Sequence, residues 1–227
     1  MFIFLPDYFL SMKAFFQQNN GVFGLYFFFL LVGGVILLSY SKAGIHLAIN
    51  QYHSPFFDEF FKFMTFLGSG WGVAILAIIL LIKKVRYGVI FLWGTLITTL
   101  LVQGTKHLIF PGTLRPVAYF QHIHQQLYLV PGVTMHYLDS FPSGHSASAF
   151  GYFIILIFLS RKSWQKVLWL VLACLIGFSR IYLSQHFLVD VEFGSLVGII
   201  SMLIPVLYFE THYPDKFNHP LFHNRKI

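Results

Sequence analysis

Two side chains in the C-terminal part of the sequence have the spacing of a cooperating pair. His186 and Asp190 stand four residues apart in SRIYLSQHFLVD, which covers positions 179–190. On a helix, residues four apart share one face, so the carboxylate can accept a hydrogen bond from one imidazole nitrogen. That bond fixes the tautomer of a histidine and makes its other nitrogen more basic. The pair therefore predicts an activated imidazole.

A second histidine follows residues that favour the start of a helix. Pro142, Ser143, Gly144 and His145 precede the apolar run that begins at Ser146. Proline is favoured in the first turn of a helix, and the free N–H groups at that end attract anions. Glycine lets an anion approach the backbone closely. We predict that Ser143 and the Gly144 amide bind an oxyanion beside His145.

Three basic side chains complete a group that could hold a phosphate. Lys106 and Arg115 lie in KHLIFPGTLRP, positions 106–116, and Arg180 precedes His186 by six residues. A guanidinium group can bind two phosphate oxygens at once, which suits both arginines to this role. With two histidines in such a site, one can attack phosphorus while the other protonates the leaving oxygen.

A metal site is the alternative interpretation of the same residue types. His145, His186 and Asp190 are side chains that could coordinate a divalent cation. Because the basic residues around them would repel such an ion, we expect neither a metal nor another cofactor. The single cysteine, Cys174, stands in an apolar run and predicts neither a disulfide nor a thiol nucleophile.

The composition predicts that the helices carrying these residues cross a membrane. Of the 227 residues, 57% are hydrophobic and 10% are charged, whereas soluble domains carry about 25% charged residues. A membrane-spanning helix needs about 20 apolar residues. Six stretches approach that length: 21–40, 64–82, 87–110, 146–160, 164–178 and 187–208. The expected fold is all-α, a bundle of six transmembrane helices.

Lysine and arginine residues predict the orientation of these six spans. Ten basic residues fall on one side: Lys13, Lys83, Lys84, Arg86, Arg161, Lys162, Lys166, Lys216, Arg225 and Lys226. The positive-inside rule makes that side cytoplasmic. Both termini are then cytoplasmic, and the histidines face the periplasm or the exterior of the cell (inner) membrane. We attribute the net charge of +7 to this topology and expect no nucleic-acid partner.

The remaining segments are assigned to a single domain, residues 1–227. Residues 1–20 are interpreted as an interfacial segment, not a cleavable signal, because Pro6 and Asp7 interrupt the apolar run. Residues 111–141 form the largest external loop, whose LYLV at 127–130 could dip toward lipid. Residues 210–227 form a cytoplasmic tail. Asp58 is expected in a solvated turn, and GSG at 68–70 is expected to be a flexible or tightly packed point.

Most other histidines are predicted to be surface or interface residues. This group contains His107, His122, His124 and His136. His122 and His124 could in addition help to bind a headgroup.

The motifs together resemble the signature of the type 2 phosphatidic acid phosphatases, also called PAP2-like membrane phosphatases. That signature is a lysine followed after six residues by Arg-Pro, then Pro-Ser-Gly-His, then Ser-Arg, five residues, His, three residues and Asp. Residues 142–145 match the second part, and residues 179–190 match the third. In the first part, eight residues separate Lys106 from Arg115. The resemblance covers the six-helix layout and the chain from position 106 to 190.

The resemblance implies a role for each of these side chains. It makes His186 the nucleophile that forms a phosphohistidine, Asp190 the residue that orients it, and His145 the general acid toward the leaving group. The phosphoryl oxygens would be held by Lys106, Arg115, Ser143, Gly144 and Arg180.

The expected function is a metal-independent lipid phosphatase at the outer membrane face. The family implies undecaprenyl diphosphate, phosphatidylglycerol phosphate, phosphatidic acid or a lipid A phosphate as substrate, with membrane lipids as the other partners. A phosphotransferase that passes the phosphoryl group to another hydroxyl would need the same residues. A catalytically silent scaffold or transporter is the third alternative, because the longer spacing before Arg115 could disrupt the phosphate site.

Overall fold

The computed structural model describes residues 12–213 and 216–221, and within them the chain is helical without β-strands. The helices are α1 (Met12–Gln18), α2 (Asn20–Ser39), α3 (Lys42–Asn50), α4 (Pro55–Leu67), α5 (Gly70–Lys83), α6 (Val85–Gly104), α7 (Pro116–His122), α8 (Gly144–Phe158), α9 (Ser163–Tyr182) and α10 (Leu188–His212). A π-helical turn, Thr105–Ile109, continues α6. Residues 1–11 of the expected interfacial segment and residues 222–227 of the expected tail lie outside the described residues.

Four of the described helices are long and apolar enough to cross a membrane. They are α2, α6 with its π-helical turn, α9 and α10. The pair α4 and α5 gives a fifth candidate if it is one span bent by 54°. The remaining expected span, 146–160, corresponds to α8, which is apolar but has only 15 residues. The protein is therefore a multi-pass, all-helical membrane protein in the residues that are described.

The bend between α4 and α5 is a point of tight packing. Ser54 caps α4 and Ser69 caps α5 with their side-chain oxygens, so each helix has its own start signal. A Cβ at Gly68 would lie 2.6 Å from Ile176 and 3.2 Å from the carbonyl oxygen of His145. The glycine thus lets the bend approach the first turn of α8.

Helix α8 is the central helix of the bundle. Ten of its residues are buried, and a helix that is apolar all round belongs in a core. It packs against α6, α9 and α10. Gly194 and Gly198 of α10 allow the closest approach, since a Cβ there would lie 2.5 Å from the Ser143 carbonyl oxygen and 2.0 Å from that of Ala147. These contacts hold the N-terminus of α8 against α10.

The end of the bundle remote from the histidines is closed by polar contacts. Arg86, 2% exposed, pairs with Glu210 at 2.6 Å. It also donates to the carbonyl oxygens of Phe209 and Tyr213 at the end of α10. The backbone N–H of Arg86 donates to the carbonyl oxygen of Phe217 at 3.0 Å, which places the described part of the tail beside the start of α6.

The segment 111–141, which was expected to be external, is folded onto the protein. It contains α7, and Val130, 3% exposed, packs with Phe61, Tyr182 and Leu183. Of the LYLV sequence, Leu129 is exposed, whereas Tyr128 is held by the side chain of Asn50. The segment therefore forms a cover over the ends of α4 and α9.

Candidate active site

The structure brings the two residues of the predicted pair together at the start of α10. His186 lies in the turn between α9 and α10, and its Nδ1 is 3.4 Å from Asp190 Oδ2. The N–H groups of Gln185 and His186 both donate to the carbonyl oxygen of Arg180, at 2.9 and 3.0 Å. Ser184 adopts a positive φ of 52°, which closes this tight turn. The turn directs Nε2 of His186 toward Arg115, whose Nη1 lies 3.5 Å away.

Asp190 accepts hydrogen bonds from residues other than His186. Its Oδ2 accepts hydrogen bonds from the Ser140 hydroxyl at 2.5 Å and from the Phe187 backbone N–H at 2.9 Å. Its carbonyl oxygen accepts the N–H of Ser143 at 2.9 Å. Because three segments converge on this residue, its carboxylate is fixed relative to the His186 ring.

The Pro-Ser-Gly-His sequence starts α8 as its residue types predict. The peptide bond between Phe141 and Pro142 is cis. Ser143 is fully buried and caps the helix, with its Oγ accepting from the Ser146 N–H at 3.3 Å and from the Ser146 hydroxyl at 2.9 Å. Gly144 and His145 are the first two helical residues. The Ser143 N–H donates to the Asp190 carbonyl oxygen at 2.9 Å, so the start of α8, which carries His145, lies against the residue that faces His186.

Lys106 and Arg115 meet at one backbone oxygen. The Nζ of Lys106 and the Nη2 of Arg115 both donate to the carbonyl oxygen of Asp139. The eight residues between them are accommodated by the π-helical turn and by Gly112, which has φ of +70° and whose N–H donates to Asp139 Oδ1 at 3.1 Å. A π-helical turn is often found at a functional site. The longer spacing therefore leaves both cations side by side.

Arg180 is buried beneath the other cations. It is 6% exposed, and its Nη1 donates to Thr65 Oγ1 while its Nη2 donates to Gln185 Oε1 at 3.4 Å. Its Nε has no hydrogen-bond partner among the described residues. The contact with Thr65 joins the C-terminal part of α4 to the turn that carries His186.

The three cations share a further property. Within residues 12–213 and 216–221, no carboxylate oxygen forms a salt bridge with Lys106, Arg115 or Arg180. Their hydrogen-bond acceptors are neutral oxygens and one imidazole nitrogen. Buried charges are normally paired. The site therefore has unbalanced positive charge of the kind that a phosphate would neutralise.

Burial keeps the His186 ring neutral. The side chain is 2% exposed, and this burial lowers its pKa to about 3, although Asp190 acts in the opposite direction. An imidazole nitrogen must be unprotonated to attack phosphorus. At neutral pH the free ring is thus in the state that nucleophilic attack requires.

Several residues near the site were not predicted from the sequence. His107 and His136 are exposed, as expected, and also line the same cavity as Lys106 and Arg115. The solvated position expected for Asp58 is wrong, because this residue is 5% exposed and accepts hydrogen bonds from two tyrosines. Asp58, like Ser140, stands far along the chain from its partners, and no local spacing indicates such contacts.

Comparison with known proteins agrees with the motifs. The PAP2 superfamily matches residues 87–214 of the chain. The chain belongs to the PAP2 superfamily. It is 32% identical to a lipid A 4'-phosphatase of Bacteroides thetaiotaomicron over 67% of this chain and 69% of that protein. It is 29% identical to the undecaprenyl-diphosphatase BcrC of Bacillus subtilis over 70% of this chain and 77% of that protein.

A solved PAP2 structure shows the same arrangement of the chain. The crystal structure of a transmembrane PAP2 type phosphatidylglycerolphosphate phosphatase from Bacillus subtilis superposes with a TM-score of 0.63 at 25% identity. The match covers 84% of this chain and 96% of that one. The protein is accordingly a PAP2 membrane phosphatase, a hydrolase of phosphate compounds.

Proposed function

We propose that this PAP2 phosphatase hydrolyses a lipid phosphate or diphosphate at the outer face of the membrane, through a phosphohistidine on His186. The observation that carries the proposal is the environment of this ring. Its Nδ1 faces Asp190 at 3.4 Å and its Nε2 faces Arg115 at 3.5 Å. One nitrogen is thus oriented by a carboxylate, and the other points at a cation that would hold the phosphoryl group.

In the first step, Nε2 of His186 attacks phosphorus, and the bond between phosphorus and the leaving oxygen breaks. His145 donates a proton to that oxygen and becomes neutral. Lys106, Arg115 and Arg180, with the amides at the start of α8, hold the phosphoryl oxygens. Because these groups are already fixed by hydrogen bonds, they can stabilise transition-state charge without reorganisation.

In the second step, water attacks the phosphohistidine. His145 now accepts a proton from that water, the bond between phosphorus and Nε2 breaks, and phosphate leaves. Asp190 stabilises the imidazolium character that His186 acquires in both steps. The reaction needs no metal in this scheme, since the cations of the protein take the role of the metal in charge neutralisation.

We also propose the expected topology of six spans with cytoplasmic termini. In this arrangement α4 with α5 forms the second span, and the short α8 forms the fourth. Lys166 Nζ donates to the Gln18 carbonyl oxygen at 3.1 Å, and Arg86 contacts the chain near Lys216. These contacts group the basic residues at one end of the bundle, opposite the histidines, which supports a periplasmic or external site.

The substrate class is inferred from the relatives. Their names specify undecaprenyl diphosphate, lipid A and phosphatidylglycerophosphate. All three carry a terminal phosphate on a membrane lipid. A cationic site at a membrane surface matches that chemistry, so we assign this class to the protein.

The test is phosphate release by detergent-purified protein in excess EDTA. The panel contains undecaprenyl diphosphate, phosphatidylglycerol phosphate, phosphatidic acid and a lipid A phosphate. We expect release from at least one lipid, loss to background in His186→Ala and a fall of about 10²- to 10⁴-fold in His145→Ala. His212→Ala, at the exposed end of α10 remote from the site, serves as the control with full activity.

Two further results decide the mechanism. Rapid quenching with labelled substrate should trap an acid-labile phosphoryl group on the wild type and none on His186→Ala. Activity that disappears with EDTA and returns with a divalent cation would contradict the metal-independent scheme. Phosphate transfer to an added alcohol without release to water would assign the protein to the transferases.

A further inference from the structure

A cavity beside the proposed catalytic groups has more volume than a single phosphoryl group occupies. Its volume is about 480 Å³, and it lies between the end of α6 and the segment 136–139. Lys106 and Arg115 form one wall, and Gln103, His107 and His136 extend it. His145 and His186 do not line it. The cavity therefore continues the phosphate site in a direction away from both catalytic histidines.

The size of this cavity indicates a second occupant. Small-molecule sites have volumes of about 300–1,000 Å³. A single phosphoryl group held against His186 would leave most of this volume free for another group.

The walls of the cavity offer hydrogen-bond donors. Gln103 and His107 stand four residues apart and are bonded to each other, with His107 Nε2 at 3.1 Å from Gln103 Oε1. That bond leaves the amide NH2 of Gln103 available. His136 is exposed, and partial desolvation followed by the charges of Arg115, Arg180 and Lys106 lowers its pKa. A neutral imidazole still donates one hydrogen bond.

The single carboxylate among the lining residues, that of Asp139, already accepts one hydrogen bond. Asp139 Oδ1 accepts the Gly112 N–H at 3.1 Å, and its carbonyl oxygen accepts from both Lys106 and Arg115. Two cations, one carboxylate and the polar side chains of Gln103, His107 and His136 therefore line the space. This combination of charge and donors suits an oxyanion.

We propose that Gln103, His107 and His136 form a second phosphate-binding subsite that shares Lys106 and Arg115 with the catalytic group. The ligand is a phosphate oxyanion. It has two possible sources: the second phosphoryl group of a lipid diphosphate, or the inorganic phosphate that leaves after hydrolysis. The inference rests on the proposed function, which supplies both sources.

The experiment compares His107→Ala, His136→Ala and the double variant with the wild type and with His212→Ala. Steady-state kinetics are measured on a lipid diphosphate and on the monophosphate with the same chain, and inhibition by inorganic phosphate is measured on both. If the ligand is a second phosphoryl group, the ratio of the diphosphate KM to the monophosphate KM rises about tenfold in the double variant. If it is the product, the inhibition constant for phosphate rises about tenfold.

Either change supports the subsite. Constants in the double variant that equal those of His212→Ala would overturn it, and so would equal losses on both substrates with unchanged phosphate inhibition. Binding of inorganic phosphate to His186→Ala, measured by calorimetry, separates the two proposals. Wild-type protein without any phosphatase activity would refute the proposed function. The subsite would still stand if phosphate binding to His186→Ala were lost when His107 and His136 are also replaced.

Discussion

A buried carboxylate on α4 is predicted to position the turn that carries His186. Asp58 is 5% exposed, and its two oxygens accept hydrogen bonds from Tyr182 at 2.6 Å and from Tyr128 at 2.7 Å. Tyr182 is the last residue of α9 and stands four residues before His186. We expect Asp58→Asn to lower both the stability of the protein and its turnover.

The size of the effect follows from these two hydrogen bonds. A hydrogen bond to a charged group contributes about 1.5–3 kcal/mol. The amide that replaces the carboxylate would retain one acceptor oxygen, so a loss equal to one such bond, about 2 kcal/mol, is expected. For a chain of this size, that corresponds to a fall in Tm of about 4–8 °C. Misplacement of reacting groups by about 1 Å can lower a rate about 10²-fold, and we expect a fall in kcat of at least about tenfold.

The assay separates a positioning role from a general loss of stability. Glu210→Gln provides the matched control, because it removes a buried carboxylate that contacts Arg86 at the opposite end of the bundle. Both variants should lose Tm, but Asp58→Asn alone should lose kcat, with KM within about twofold of the wild type. Measurements are made well below both Tm values. Tyr182→Phe should reproduce the kcat effect with one hydrogen bond removed.

Equal kcat values in Asp58→Asn and in the wild type would refute this reasoning. An equal fall of kcat in Glu210→Gln would also refute it, since that residue lies at the end of the bundle remote from the site. A rise in KM without a change in kcat would show that Asp58 affects substrate binding and not the orientation of the nucleophile.

The other predictions concern pH, the orienting carboxylate and helix packing. Burial lowers the pKa of His46 to about 4, so below its ordinary value of 6.5 the unfolded chain binds a proton that the folded chain does not. The free energy of unfolding should therefore fall by up to about 3 kcal/mol between pH 6.5 and about 4, and thermal melts of His46→Gln should show a smaller pH dependence. Ser140→Ala removes the 2.5 Å hydrogen bond to Asp190 and should lower kcat about tenfold in phosphate-release assays, with Ser140→Thr partly restoring it. Gly198→Val would force a side chain against the Ala147 carbonyl oxygen and should lower Tm by several degrees, whereas an unchanged melting curve would contradict the close packing of α8 and α10.

The sequence predicted the parts of the site that depend on short spacings. His186 lies in the turn before α10 and not on a helix, but it still contacts Asp190 in the first turn of α10, four positions later. Ser143 starts α8 because serine and proline favour that position. The membrane-spanning helices were equally evident, since apolar length alone indicates them. Such features are local, and a single stretch of chain contains all the information that they need.

Contacts between distant segments could not be predicted in this way. Asp58 meets Tyr182 across 124 positions, and Ser140 meets Asp190 across 50. In the sequence, Asp58 stands among phenylalanines in FFDEFF and has the pattern of an exposed turn. Its burial depends on the packing of α4 against α9 and on the position of the segment 111–141. Neither of these tertiary arrangements produces a repeating pattern of residues in the sequence.

Among the described residues, buried positive charge is paired with a carboxylate at one end of the bundle, and the three cations of the site at the other end have no salt bridge. This difference supports the proposed phosphate chemistry. Arg86 is paired with Glu210, so its charge is neutralised and the contact only stabilises the fold. Lys106 and Arg115 are instead held by backbone carbonyl oxygens, and Arg180 by a hydroxyl and an amide oxygen. Neutral acceptors fix the direction of a cation while its net charge remains. The histidine end of the protein therefore has fixed cations without a carboxylate partner among the described residues, which supports the proposed binding of a phosphate there.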